Sequence, residues 1–266
     1  MKTITITNLI GDEIILPSKI EDSNGIRLIS EYTGFTQDFS VSMTTQRYPF
    51  QQGQSIVGIT APGRKLSIEL HIFRNTQEDV DDYIRDIVSK CSPYRGKLKI
   101  VHSDSNRESQ IYGYYLKHKV TDSTNVCGYK ILQLSFQCEK GLFEDVNANN
   151  NIYNSGDYIA PLKLVVNGNC TNPIINWSNV SSDDSGFIQI NYELTNGRYI
   201  EINTEIGNEY VYVYESNGSF VEDILYTMTP TSKFFQMGLG TNSISINALI
   251  GSPSVTFEYH NQYISA

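Results

Sequence analysis

Phe143-Glu-Asp-Val-Asn-Ala-Asn-Asn-Asn-Ile-Tyr-Asn-Ser-Gly-Asp-Tyr-Ile-Ala-Pro161 decides how this chain divides. The stretch has little apolar periodicity and a run of Asn, so by itself it buries too little surface to form a core element. Strand-like sequence flanks it on both sides. Before it lie the one convincing helix pattern and 17 of the 20 Lys and Arg; after it lie the other 3. It therefore reads as the seam between two β domains, 1–146 and 147–266, and the length of 266 residues fits that division.

Charge follows the same seam. The net charge is −9, and residues 151–266 carry 11 Asp and Glu against 3 Lys and Arg, which leaves the first part nearly neutral. Binding to nucleic acid uses cations to neutralise phosphates, so the second part is expected to repel it. No sequence-specific nucleic-acid partner is expected. No apolar run reaches the ~18 residues of a membrane span. The N-terminus, Met1-Lys-Thr-Ile-Thr-Ile-Thr7, alternates from the start, which predicts folding in the cytoplasm without a signal peptide. Cys91, Cys127, Cys138 and Cys170 form no C-x-x-C pair, so free, partly buried thiols are expected and no metal or cofactor.

In the first domain, Thr3–Ile6 and Glu13–Leu16 read as strands around a turn at Gly11-Asp12. Tyr32-Thr-Gly-Phe35 reads as a turn or bulge. Residues 48–64 hold three Gly and two Pro among scattered apolar residues, which predicts a long loop or an extended hairpin. Such a segment inside a compact domain usually has a task, and reaching a neighbouring subunit is the task expected here. The candidate contact residues are Phe50, Gln51, Gly53, Ile56, Val57 and Ile59.

Leu66, Ile68, Leu70 and Ile72 alternate with polar residues, as a half-buried strand requires. A helix over about 76–91 follows. Val80, Tyr83, Ile84, Ile87, Val88 and Cys91 share one face, Asn75 or Thr76 caps it, and Pro93 stops it. The acids Glu78, Asp79, Asp81 and Asp82 match the helix dipole better than they match a metal site. Lys97–Val101, Gln110–Val120 and Tyr129–Glu139 complete an N-terminal β-sandwich or split barrel with one helix packed on it.

The second domain is expected to be all-β. Its strand candidates are 162–166, 174–177, 187–194, 199–203, 210–215, 234–238, 243–247 and 254–259, separated by turn signals such as Asn167-Gly168, Asp184-Ser-Gly186, Asn196-Gly197 and Asn217-Gly218. This spacing predicts a β-sandwich.

Catalysis has little support. None of His71, His102, His118 and His260 lies in a nucleophile or zinc motif. His102-Ser103-Asp104 is adjacency rather than a triad, which is built in space. Glu201 and Glu205 have no sequence signal that sets them across a cleft. No enzyme activity is expected. Trp177, Tyr210, Tyr212 and Tyr214 are the candidates for stacking sugar rings. The three tyrosines alternate with Val211 and Val213, so cross-strand packing accounts for them equally well.

Taken in order, several pieces resemble the distal tail protein family of long-tailed phages, the siphovirus tail component. In the first domain these are Phe50-Gln-Gln-Gly53, Gly63-Arg-Lys-Leu-Ser-Ile-Glu-Leu70, the helix, Ser92-Pro-Tyr-Arg-Gly-Lys-Leu98 and Leu134-Ser-Phe-Gln-Cys-Glu139. In the second they are Asn154-Ser-Gly-Asp157, Asn167-Gly168, Asn172-Pro173, Tyr199-Ile-Glu-Ile-Asn203 and Phe234-Phe-Gln-Met-Gly-Leu-Gly-Thr-Asn242. The resemblance implies a homo-hexameric ring at the virion tail tip, built by the N-terminal domain around a DNA channel and assembled in the host cytoplasm. It implies an outward, galectin-like C-terminal β-sandwich. Implied partners are the tail tube protein, the tail-tip hub or tail-associated lysin, and receptor-binding proteins. The alternative is a carbohydrate-binding protein that recognises the host surface through the second sandwich.

Overall fold

The computed structural model describes residues 3–17, 26–28, 33–35, 42–46, 55–60, 62–105, 107–122 and 128–266, with backbone alone at 26–28, 42–46 and 55–60. The chain forms two units. Met1–Val146 joins Tyr263–Ala266 in one, and Asn147–Gln262 makes the other. The last four residues, expected with the second domain, lie in the first unit. Nothing in their composition separates them from the strand sequence before them.

In the first unit the strands are β1 (Thr3–Thr7), β2 (Glu13–Pro17), β3 (Ile26–Leu28), β4 (Ser42–Gln46), β5 (Ser55–Thr60), β6 (Arg64–Phe73), β7 (Leu98–Ser103), β8 (Glu108–Asp122), β9 (Tyr129–Cys138) and β10 (Phe143–Asp145), with helix α1 (Gln77–Lys90) between β6 and β7. The main antiparallel sheet runs β2-β1-β7-β8-β9-β6-β3, and β10 pairs with β8. Its two ends, β2 and β3, approach each other, so the sheet curls like a split barrel. Alternation sets what lies inside. Leu66, Ile68, Leu70 and Ile72 of β6 and Leu132, Leu134, Phe136 and Cys138 of β9 are all buried.

Helix α1 adds Val80, Ile84 and Ile87 to the same core. Thr76 caps it, accepting from Asp79 N at 3.1 Å. Lys130, at the open end of β9, donates to Asp81 at 2.6 Å and so ties the helix to the sheet. Phe35, in the segment read as a turn or bulge, is fully buried. Thr33 bridges Ser67 of β6, and Gly34 turns at φ +88°, where a Cβ would stand 2.2 Å from Lys65 O. Only glycine lets the chain come this close to β6 and deliver Phe35 inward.

In the second unit the strands are β11 (Tyr153–Asn154), β12 (Lys163–Asn167), β13 (Cys170–Thr171), β14 (Ile174–Asn179), β15 (Asp184–Gln189), β16 (Glu193–Leu194), β17 (Arg198–Asn203), β18 (Tyr210–Glu215), β19 (Phe220–Asp223), β20 (Gly240–Asn247), β21 (Ile250–Gly251) and β22 (Ser254–Glu258); the last short strand, β23 (Gln262–Tyr263), pairs with β10. A five-stranded sheet, β19-β18-β17-β12-β22, and a four-stranded sheet, β11-β20-β14-β15, share one core. Leu164, Val166, Ile200, Ile202, Val211 and Val213 come from the first sheet, and Ile175, Trp177 and Ile188 from the second. This is the expected β-sandwich.

Three expectations change. Asp184-Ser185-Gly186 is the start of β15, paired with β14, because the turn lies earlier and Asp183 takes the left-handed φ of 54°. Phe234–Gly238 is not a strand; it carries a single bridge, at Met237 to Ala160. The seam is not structureless. Asn149 exchanges backbone bonds with Tyr259, and Asn154, buried to 2 % exposure, donates to the carbonyls of Tyr158 and Met237. Asparagine side chains here replace ladder partners, which composition alone registers as disorder.

Candidate interaction surfaces

The histidines and acids singled out in the sequence do not converge. His102 is buried against Phe35, ring centroids 5.8 Å apart, while Ser103 donates to Glu108. Successive strand residues face opposite ways, so adjacency forbids the triad. His71 meets Tyr129 OH at 2.6 Å. Glu201 accepts from Tyr210 OH at 2.8 Å and from Lys163 at 3.0 Å. Among the described residues no group of three or more His, Cys, Asp or Glu is placed to hold a metal ion, and no helix is long and apolar enough to cross a membrane. Cys91, Cys138 and Cys170 are free and buried, and burial pushes the first two thiols up to about 12. Cys127 lies outside the described residues.

Of the 48–64 segment, Ser55–Thr60 is strand β5 and Arg64 opens β6, while residues 48–54 and 61 lie outside the described residues. β5 pairs antiparallel with β4 in a sheet of their own, Ser42 opposite Thr60 and Gln46 opposite Ser55. Ile56, Val57 and Ile59 lie on β5. Phe50, Gln51 and Gly53 fall outside the described residues.

The proposed sugar-stacking residues are not brought together. Trp177 sits on β14, 7 % exposed, stacked on Phe235 at 5.4 Å with an interplanar angle of 6°. Its Nε1 donates to Asn242 at 3.1 Å. It forms the floor of an open groove of about 830 Å³ with Ile159, Ile206, Phe235 and Leu239. Tyr210, Tyr212 and Tyr214 lie on the outer face of the other sheet. Their rings are turned on one another. Tyr210 stacks on Tyr212 at 4.3 Å, Tyr199 stacks on Tyr214 at 5.4 Å, and Phe220 meets Tyr212 and Tyr214 edge-on. Burial, then the hydrogen bond to Glu201, pushes the Tyr210 hydroxyl well up. Phe220 and β19 escaped the sequence reading because Asn217-Gly218 marked a turn and the short strand after it, Phe220-Val-Glu-Asp223, alternates too briefly to register.

A third surface lies on the outer face of the first unit's sheet, opposite to the helix. Lys99 stands across from Tyr112, Tyr114 from Gln137, Lys65 from Gln137, Lys117 from Ser135 and Lys119 from Gln133. Sequence offered a signal for it in Tyr112-Gly-Tyr114 followed by Lys117 and Lys119, spaced two apart.

The family model described as siphovirus-type tail component, C-terminal domain, matches residues 156–263. The second unit is a siphovirus-type tail component domain. The resemblance to the distal tail family, read from ordered pieces on both sides of the seam, holds. The fold extends it along the whole chain. The crystal structure of SPP1 Dit (gp 19.1), described as a paradigm of the hub adsorption apparatus in phages that infect Gram-positive bacteria, aligns with a TM-score of 0.66 at 16 % identity, over 97 % of this chain and 98 % of that one. The phage P2 baseplate in its activated conformation aligns at 0.53 with Ca and 0.52 with Sr, each at 11 % identity and full coverage of both chains. No curated protein sequence matches the chain. Residues 156–263 thus match a phage tail component domain, and the chain as a whole shares the fold of these solved tail proteins.

Proposed function

We propose that this chain is the distal tail protein of a long-tailed phage or tail-like particle, closing as a homo-hexameric ring at the tail tip. The N-terminal unit surrounds a channel for DNA. The ring joins the tail tube protein to the tail-tip hub or tail-associated lysin and carries receptor-binding proteins. The C-terminal unit is a galectin-like sandwich directed outward. The observation that carries this reading is the tail component domain at 156–263 within a chain that aligns end to end with SPP1 Dit. Charge supports it, because a conduit should not grip phosphates and the chain's net charge is −9. A ring of identical copies needs head-to-tail contacts that close, and the β4–β5 hairpin, with the candidates at Phe50 to Ile59, is an arm suited to crossing such a contact.

The carbohydrate-binding alternative draws on Trp177 and the tyrosines, whose ring faces are largely spent on other rings. That arrangement favours packing over stacking of a ligand. Light scattering of the purified chain across a concentration series tests the ring. A six-fold mass, reduced on deleting residues 48–62, is expected. A monomer at every concentration, with tail tube and hub proteins added, would overturn it.

A further inference from the structure

The outer face of β6, β7, β8 and β9 combines charge without partners and exposed apolar surface. Lys65, Lys117 and Lys119 are exposed and Lys99 half-exposed, and these four make no ion pair among the described residues. Lys97, the fifth, bonds Glu139 at 2.5 Å and lies over the Tyr112 ring. Tyr112, Tyr114 and Leu116 are 37, 40 and 51 % exposed in their midst. The register shift at Tyr115–Lys117 turns Leu116 outward. An aromatic and aliphatic centre rimmed by cations is the make-up of a protein contact, and it calls for an acidic partner.

The same chain carries such a partner surface on its opposite side. Helix α1 packs on the face from which Leu132, Leu134 and Phe136 project, and the lysines project from the other. Along its solvent side the helix exposes Glu78, Asp79, Asp82 and Asp86, with Arg85 exposed and Lys90 half-buried as its cations. The Asp82–Arg85 and Asp86–Lys90 pairs, at 2.8 and 2.9 Å, are exposed intrahelical pairs that hold little energy and exchange readily. Asp81, Ile84, Arg85, Val88, Ser89 and His118 line a shallow groove of about 500 Å³ on this side, open to a projecting side chain such as Leu116.

We propose that the lysine face of one copy docks on the acidic face of helix α1 in a second copy of this chain. Two unlike, complementary patches on one chain are what a heterologous contact requires. The proposal rests on the ring reading and assigns its interface. It also removes the lysines from the DNA path, where four free cations would hold phosphate.

The test uses the full-length chain. Lys117→Glu with Lys119→Glu, and separately Asp82→Lys with Asp86→Lys, are each expected to raise the concentration for half-assembly by about tenfold or more. Unchanged melting temperatures would show that both variants are folded. Mixing the two variants restores a reversed-charge contact at one joint and the original contact at the next, so a six-fold mass should return as an alternating ring. Assembly of the unaltered chain should weaken with salt. Unchanged mass in both variants would overturn this contact while leaving the ring standing. Loss of assembly in both without recovery on mixing would also overturn it. Binding of duplex DNA that vanishes with the lysine variant, its mass unaltered, would assign the face to nucleic acid instead. A monomeric unaltered chain under all conditions would remove the ring itself.

Discussion

Two polar clusters, one in each unit, are built from different chemistry. The first uses guanidinium groups. Arg64, 6 % exposed, donates to Ile264 O at 2.7 Å and lies over the Phe143 ring. Arg107 donates to Ser265 O and lies 4.0 Å from the Tyr263 ring centroid, and Ala266 N donates to Phe35 O. The second uses amides. Asn242, 1 % exposed, accepts from Trp177 Nε1, Asn179 Nδ2 and Gly238 N, and donates to the carbonyls of Gly238 and Gly240. An amide donates and accepts at once, so one Asn can close a knot of backbone from three directions. A guanidinium only donates, so it collects carbonyls of a returning strand and rests its flat face on a ring. The amide knot is compact and fails as a whole; the arginine clasp is spread out and loses one bond at a time.

Asn242→Leu should sharpen that contrast most. It keeps the number and branching of side-chain heavy atoms but leaves Trp177 Nε1, Gly238 N and two carbonyls buried without their partner, each worth about 1–3 kcal/mol. The expected loss is about 4 kcal/mol or more, read by urea unfolding with the fluorescence of the single Trp, which reports the second unit alone. A loss below about 1 kcal/mol would mean that water or a shifted Asn179 replaces the amide, and would break the comparison. Arg107→Met keeps the stem and removes one donor and the ring contact. A loss of about 1–3 kcal/mol is expected in the first unit's transition by circular dichroism. The Trp177 transition should stay where it was, since every contact named lies in the first unit.

What was legible in the sequence follows from the same difference. Periodicity exposed the strands and the helix, because Leu66 to Ile72 and Val80 to Cys91 act through repeated apolar burial. The amide knot was hidden. Nothing local marks Asn242 or Asn179 as buried, and the Asn-rich stretch after Val146 reads as a linker, since composition counts a polar residue as solvated whatever it binds. The four residues after Gln262 were hidden too, because a long-range bond from Arg64 to Ile264 leaves no local pattern. Among the candidate contacts, the tyrosines on one face were visible from their spacing of two. Their use against Phe220 and Tyr199 depends on how strands pair and in what register, which no local pattern records. The lysine face was missed for the same reason, its members being spread over β6, β7 and β8.

Alkaline pH should weaken the first unit through its buried thiols. Burial raises Cys91 and Cys138 in the first unit from 9.0 to about 12. A raised folded pKa gives stability that is complete below the unfolded value and lost as pH climbs toward the folded one. The first unit should therefore hold its stability up to about pH 9 and lose it progressively toward about pH 12. Cys91→Ala with Cys138→Ala lowers stability at pH 7 and flattens that decline. An equally steep decline in the double variant would show that other groups drive it.

The smallest effect is expected where aromatic residues are most conspicuous. Tyr212 packs against Tyr210, Tyr214 and Phe220 on an outer face, half in water. Tyr212→Ala gives up cross-strand and ring–ring contacts worth about 0.5–1.5 kcal/mol, against the much larger loss at Asn242. Both lie in the second unit and both shift the same Trp177 transition, so the ratio is free of differences in probe. A Tyr212→Ala loss as large as that of Asn242→Leu would mean that the outer rings carry the sandwich, and the contrast between a buried knot and a surface ladder would fail. A small loss together with unchanged binding to host cell-wall glycan would leave the tyrosines as packing alone. A small loss accompanied by lost glycan binding would instead give the outer face a ligand.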